Sequence, residues 1–280
     1  MLGAEFKIDR RGAIQRLGAG TLLAMGLWPG ALRAQTGSPG RSFRFIVVND
    51  THYLGADCGA WLEGVISRMK KENAEFCLHA GDLTEKGERG HLETVKELFA
   101  VLGPPVYPVI GNHDYPDRPD EGGRRNYTQT FRLRLNYYFR HEGWQFIGLD
   151  TSEGQRYEKT MIQPETFQWL NDYLPRLDRR KPTAIFTHFP LGTNVTYRPL
   201  NADRLLDRFR DFNLQAVFSG HFHGFTERHA GPAVLTTNRC CALKRENHDG
   251  TKEKGYFICT ASEGRIERKF VEYKAPAQKV

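Results

Sequence analysis

The chain reads as an α/β protein in which short buried strands alternate with amphipathic helices, and two observations carry that reading. Apolar runs rich in β-branched and aromatic residues recur at Phe43 to Val48, Glu75 to His79, Val106 to Ile110, Ala184 to Thr187 and Ala216 to Ser219. Each has the length of a buried strand. Between the first three, apolar residues fall at helical spacing: Trp61, Leu62, Val65, Ile66 and Met69, then Leu92, Val95, Leu98, Phe99 and Leu102. The resulting βαβαβ order predicts a parallel sheet with right-handed crossovers. At 280 residues, 39% hydrophobic and 26% charged, the chain is long enough to bury a substantial core and is too apolar to be disordered.

The first segment stands apart from this pattern. Arg10 and Arg11 precede an uncharged run from Leu17 to Leu32, and Ala31-Leu32-Arg33-Ala34 follows. A basic start, a short apolar run and a small residue before a cleavage point have the layout of an export signal. The paired arginines resemble a twin-arginine signal. Four glycines and Pro29 in the run argue against a buried helix. Residues 1–40 are therefore expected to be signal and linker, with the translocation machinery as a transient partner and the periplasm as the destination. The folded domain is expected over residues 41–280.

The net charge is +7, of which residues 1–34 supply +3 through five basic and two acidic side chains. No block of five Lys or Arg occurs, and no basic stripe with interleaved aromatics, so no nucleic-acid partner is expected. A mildly cationic surface suits small phosphorylated substrates. The five cysteines are odd in number and lack a CxxC spacing, which argues against a disulfide framework or a zinc ribbon and for core packing. Cys240 and Cys241 are too close for an unstrained bridge.

Further along, residues 115–133 are polar and carry Pro116, Pro119, Gly122 and Gly123, as an excursion beside a site would. Asn136 to His141 and Trp144 to Leu149 flank Glu142-Gly143 as a hairpin. Helices are expected over Glu165 to Leu174 and Arg204 to Asp211, and strands over Ala233 to Thr237, Tyr256 to Cys259 and Arg265 to Tyr273.

Every one of the five apolar strands hands over a metal-ligand residue type at its end: Asp50 with His52, then Asp82, Asn112, His188, and His221 with His223. Carboxylate, imidazole and amide oxygen together suit transition metals. Any one piece is weak, since a lone histidine such as His188 is more often structural. The order and the placement carry the weight.

The ordered set Asp50-Thr51-His52, Gly81-Asp82, Gly111-Asn112-His113-Asp114, His188 and Gly220-His221-Phe222-His223 resembles the calcineurin-like metallophosphoesterase superfamily. The resemblance implies a sandwich of two mixed β-sheets flanked by helices, a four-layer αββα fold. It assigns Asp50, His52, Asp82 and His223 to one metal ion, and Asp82, Asn112, His188 and His221 to a second. Manganese, iron, zinc, nickel and cobalt all accept such ligands. The implied reaction is phosphoester hydrolysis by a metal-bridging hydroxide, with His113 assisting the leaving group and Asp114 fixing its orientation.

Gly81-Asp82-Leu83-Thr84-Glu85-Lys86-Gly87 looks closest to the bacterial class III cyclic-nucleotide phosphodiesterases and their glycerophosphodiesterase relatives, which implies phosphodiester substrates. An exported phosphomonoesterase of acid-phosphatase type is the alternative, and a scaffold that keeps the fold without catalysis is a further one. Purple acid phosphatases carry a Tyr ligand where Glu85 stands. Arg124, Arg125 and Tyr127 are read as candidate phosphate or base contacts set against a solvated loop, Thr193 to Thr196 as a rim segment, and His79 as packing between strand and helix. His91, His141, His229 and His248 receive no role.

Overall fold

The computed structural model describes residues 40–116, 123–132 and 135–276. All but the last residue of the expected export signal and linker therefore lies outside the described residues. From Gly40 onward the chain opens with β1 (Phe43–Val48), α1 (Ala56–Lys70), β2 (Phe76–His79), α2 (Arg89–Ala100) and β3 (Val106–Pro108). The strands β1, β2 and β3 are parallel neighbours, as the βαβαβ order predicts. The last two strands, β10 (Gly255–Ser262) and β11 (Arg265–Glu272), return antiparallel beside β1, giving the order β11-β10-β1-β2-β3.

A second sheet holds β4 (Tyr137–His141), β5 (Trp144–Leu149), β6 (Thr183–Thr187), β7 (Leu214–Ser219), β8 (Thr226–Ala230) and β9 (Ala233–Thr237) in the order β4-β5-β6-β7-β9-β8. Its central strands run parallel, and an antiparallel hairpin closes each edge. The shorter helices are α3 (Arg125–Thr130), α4 (Pro164–Tyr173) and α5 (Ala202–Asp207).

Period-two alternation along β1 explains the layering. Phe43, Phe45 and Val47 join Phe76, Phe146, Phe186 and Phe218 in a core between the sheets. Ile46 and Val48 point the other way, onto Leu62, Val65, Ile66 and Met69 of α1 and Leu92, Val95 and Phe99 of α2. A third core joins Ile147, Ile185 and Val217 to Phe167 and Leu170 of α4 and Leu205 of α5. Three apolar layers between four layers of structure are the sandwich that the resemblance implies. The inter-sheet layer is strongly aromatic, with Phe45 stacked on Phe76 at 5.0 Å between ring centroids and Phe146 edge-on to both.

Some elements differ from the sequence-based expectation. β8 was not expected, because Thr226–Ala230 is an exposed edge strand with no apolar face to reveal it. The helix expected over Arg204 to Asp211 is instead Ala202–Asp207, continued by turns. Helix α2 stops at Ala100, and Leu102 is buried from the turn that follows. The excursion contains α3, whose Tyr127 is buried and donates its hydroxyl to the Pro108 carbonyl at 3.0 Å. Tyr127 is thus a packing residue and not a base contact.

Candidate metal centre

All five strand ends open on one side of the sandwich, and the backbone there is unusual. Asp50, His52, Asp82, His221 and His223 all have positive φ, between 43° and 65°. Such conformations cost side-chain-bearing residues energy and cluster at functional sites. Each turns the chain sharply off its strand, and neighbouring turns are laced together: Asp50 N donates to Gly81 O at 3.0 Å, and Thr51 N to Asp82 O at 2.9 Å. Two motif glycines are required by close approach. A Cβ at Gly111 would lie 2.2 Å from Asp82 Oδ1, and one at Gly81 would lie 2.5 Å from His188 Nδ1.

The structure brings all seven sequence-proposed ligand residues together, each buried. Potential ligand atoms of Asp50, His52, Asp82 and His223 converge within 4.8 Å of one another, and so do those of Asp82, His188 and His221. Asn112 Oδ1 lies 3.0 Å from His188 Nε2 and so belongs with the second group. Asp82 serves both, with Oδ2 3.5 Å from His52 Nε2 and Oδ1 3.3 Å from His188 Nε2.

Hydrogen bonding to main-chain carbonyls fixes which nitrogen three of the four imidazoles present. His188 Nδ1 donates to Ala80 O at 3.0 Å, His221 Nε2 to Tyr157 O at 2.8 Å, and His223 Nδ1 to Glu246 O at 3.2 Å. A carbonyl oxygen only accepts, so the opposite nitrogen of each neutral ring carries a lone pair. Those nitrogens converge: His188 Nε2 faces His221 Nδ1 at 3.1 Å, and His223 Nε2 faces His52 Nε2 at 3.1 Å. Two lone pairs and a carboxylate aimed at one point repel unless a cation sits among them. The donor sets therefore fit divalent metal ions.

The charges agree. Burial opposes ionisation of Asp82, yet His188 and His113 hold its carboxyl well below the usual range. Asp50 is likewise lowered against burial, by His223 and His188. Burial drives His221 down to about 3, which keeps it a neutral donor.

His113 lines the cleft above this centre, together with Asp82, Asn112, Gln155, Tyr157, Tyr197, Arg245 and His248, around a volume of about 480 Å³. Its Nδ1 donates to the Glu85 carbonyl at 3.0 Å, and its backbone N–H to Asp82 Oδ1 at 2.9 Å. Asp114 does not orient that ring, which corrects the role expected for it. Its carboxylate instead accepts from the backbone of Gly111, Leu83 and Thr84 at 2.9 to 3.2 Å, tying two ligand loops together. Burial, then the charge of Asp82, push Asp114 up to about 7.

His79 packs as expected, edge-on to Phe99 at 5.3 Å and bonded to Thr51. Arg124 sits 3.4 Å from Asp150, Arg125 is exposed, and Val195 of the rim segment is buried. The loop between β9 and β10 supplies what sequence reasoning missed. His248 stacks on His223 with centroids 5.1 Å apart and planes inclined by 27°, Glu246 offers its carbonyl, and Arg245 pairs with Glu85. Cys240 also departs from a plain core role. It is free and buried, but its sulfur lies 3.0 Å from Lys254 Nζ, and His223 and Lys254 lower its thiol against burial.

Known proteins resemble this chain in sequence and fold. A probable cyclic nucleotide phosphodiesterase of Synechococcus sp. is 28% identical over 126 residues, 45% of this chain and 46% of that protein. The chain thus matches under half the length of that relative. A glycerophosphodiester phosphodiesterase of Enterobacter lignolyticus is 24% identical over 216 residues, 68% of this chain and 74% of the relative. Among solved structures, a dimetal phosphatase from Danio rerio superposes with a TM-score of 0.60 at 15% identity, over 83% of this chain and 99% of the other. The calcineurin-like phosphoesterase pattern matches residues 43–225, a span that holds all seven converging side chains, and the chain belongs to that family.

Proposed function

We propose that this chain hydrolyses small phosphodiesters at a two-metal centre. The observation that carries the reading is the pair of ligand-atom clusters sharing Asp82, set below a cleft that His113 overlooks. Asp50, His52, Asp82 and His223 would hold one ion, and Asp82, Asn112, His188 and His221 the other. Divalent ions bound there supply the positive charge that activates water and offsets charge on a phosphoryl group. The chain's own contribution is positional. Asp82 stays ionised, the imidazoles of His52, His188, His221 and His223 each aim a ring nitrogen into the centre, and the Glu85 carbonyl holds His113 Nδ1. That leaves His113 Nε2 facing the cleft. In the imidazolium form, with both nitrogens protonated, it would give the Nε2 proton to the departing alkoxide and keep Nδ1–H on the Glu85 carbonyl.

The diester preference draws on the two relatives named for diester chemistry and on the cleft itself. Arg245, the one Lys or Arg among its described lining residues, is already matched by Glu85, so no spare cation awaits the second charge of a monoester. The test compares kcat/KM for an aryl phosphodiester and the matching monoester after loading with Mn²⁺. A ratio well above one is expected, and a ratio well below one would assign the chain to monoesters. We further propose export by the twin-arginine route. A reporter fused to residues 1–40 should lose export when Arg10→Lys and Arg11→Lys are combined, and undiminished export would sink that reading.

A further inference from the structure

Arg245 stands beyond the matched family span, on the loop between β9 and β10, yet it reaches a residue 160 positions earlier. Its Nε donates to Glu85 Oε2 at 3.0 Å, and a terminal nitrogen donates to Glu85 Oε1. This two-pronged pairing fixes the plane of a carboxylate as well as its charge. Glu85 is where two parts of the site meet. Its Oε2 lies 3.0 Å from His52 Nδ1, off the line of a straight hydrogen bond, and its carbonyl accepts from His113 Nδ1 at 3.0 Å. The rings of His52 and His113 touch edge to face, with centroids 4.8 Å apart.

The loop carrying Arg245 is itself held. Buried Asn247 accepts from Cys240 N at 3.0 Å and donates to Glu253 O at 2.8 Å, and the Arg245 carbonyl accepts from Lys254. A glutamate at the edge of a cleft keeps rotamer freedom unless something restrains it. Here the restraint comes from a loop that the family span does not include.

We propose that Arg245 is a positioning residue: it locks the Glu85 carboxylate against His52 Nδ1, so that His52 holds Nε2 toward the metal position it shares with Asp50, Asp82 and His223. The same clamp steadies the Glu85 carbonyl that aligns His113. Arg245 acts through Glu85 and needs no contact with substrate. The inference rests on the two-metal reading but not on the identity of the ester.

The test is a calorimetric titration of the metal-free full-length chain with Mn²⁺. Arg245→Ala is expected to weaken one of the two binding events by about 10- to 100-fold, the usual effect of removing a partner that orients a ligand. Arg245→Lys should recover part of that loss, since it restores charge without the fork. In a Glu85→Ala background, Arg245→Ala should add no further loss, because the two act as a unit. Wild-type Mn²⁺ affinity in Arg245→Ala with a raised KM would overturn the proposal by making Arg245 a substrate contact. Additive losses in the double variant would overturn it equally. Failure of diester turnover in the wild type would count against the proposed substrate alone, because the titration is read without substrate.

Discussion

At the scale of single residues, the centre depends most on Asp82. An amide there would turn N–H donors toward lone pairs that need a cation. Asp82→Asn should therefore lose both ions, measured as metal per chain after gel filtration. Retention of both would contradict the shared role. His113→Ala should keep both ions and slow turnover by about 10²- to 10⁴-fold, the range of general acid–base assistance. Gly111→Ala tests the backbone instead. Its new Cβ would collide with Asp82 Oδ1 at 2.2 Å, so it should mimic Asp82→Asn in metal content although no ligand is removed.

At the scale of elements, Asp150 at the end of β5 offers a pH signature apart from the metal ligands. Burial pushes its carboxyl up from 3.8 to about 6, against the Ser152 N–H and Arg124. A folded-state value above the unfolded one means that its contribution to stability is fullest below about pH 4 and is lost as the pH rises through 6. Asp150→Asn keeps an acceptor for Ser152 N and cannot ionise. Its stability relative to wild type should therefore improve from pH 4.5 to pH 7.5, by about 2 kcal/mol. Denaturant titrations at the two pH values check this, and a difference that does not change with pH would refute it.

The same scale shows what the sequence discloses. Parallel strands buried on both faces are legible because their apolar runs end abruptly in polar motifs, and so the seven converging residues could be named from order alone. Edge strand β8 was not legible, because its residues face solvent and follow no period. The loop between β9 and β10 was hidden for another reason. Glu246 acts through its carbonyl, which every residue possesses, and Arg245 matters only because Glu85 lies opposite it. Asp114 was misread for the same cause: adjacency to His113 in sequence suggested a partner, but the short helix over Asn112–Asp114 aims its carboxylate at three backbone N–H groups.

At the scale of the whole molecule, the aromatic layer between the sheets fixes how the strand ends of both sheets meet at the site. His52 and Asp82 come from one sheet, and His188, His221 and His223 from the other. Phe146→Ala, at the centre of that layer, should cost about 3–5 kcal/mol in a denaturant titration. Chelation should lower the melting temperature, since binding to the folded state alone stabilises it. Unchanged melting after metal removal would separate the centre from stability. Three of the four imidazoles are aimed by main-chain carbonyls, those of Ala80, Tyr157 and Glu246. A carbonyl survives any side-chain substitution that leaves the loop path intact, so the aim of these three rings does not depend on which residues stand at positions 80, 157 and 246. His52 leans on a side chain, Glu85, which in turn leans on Arg245. The orientation of His52 is thus the one among the four that a side-chain substitution away from the ligands, at position 85 or 245, would be expected to disturb.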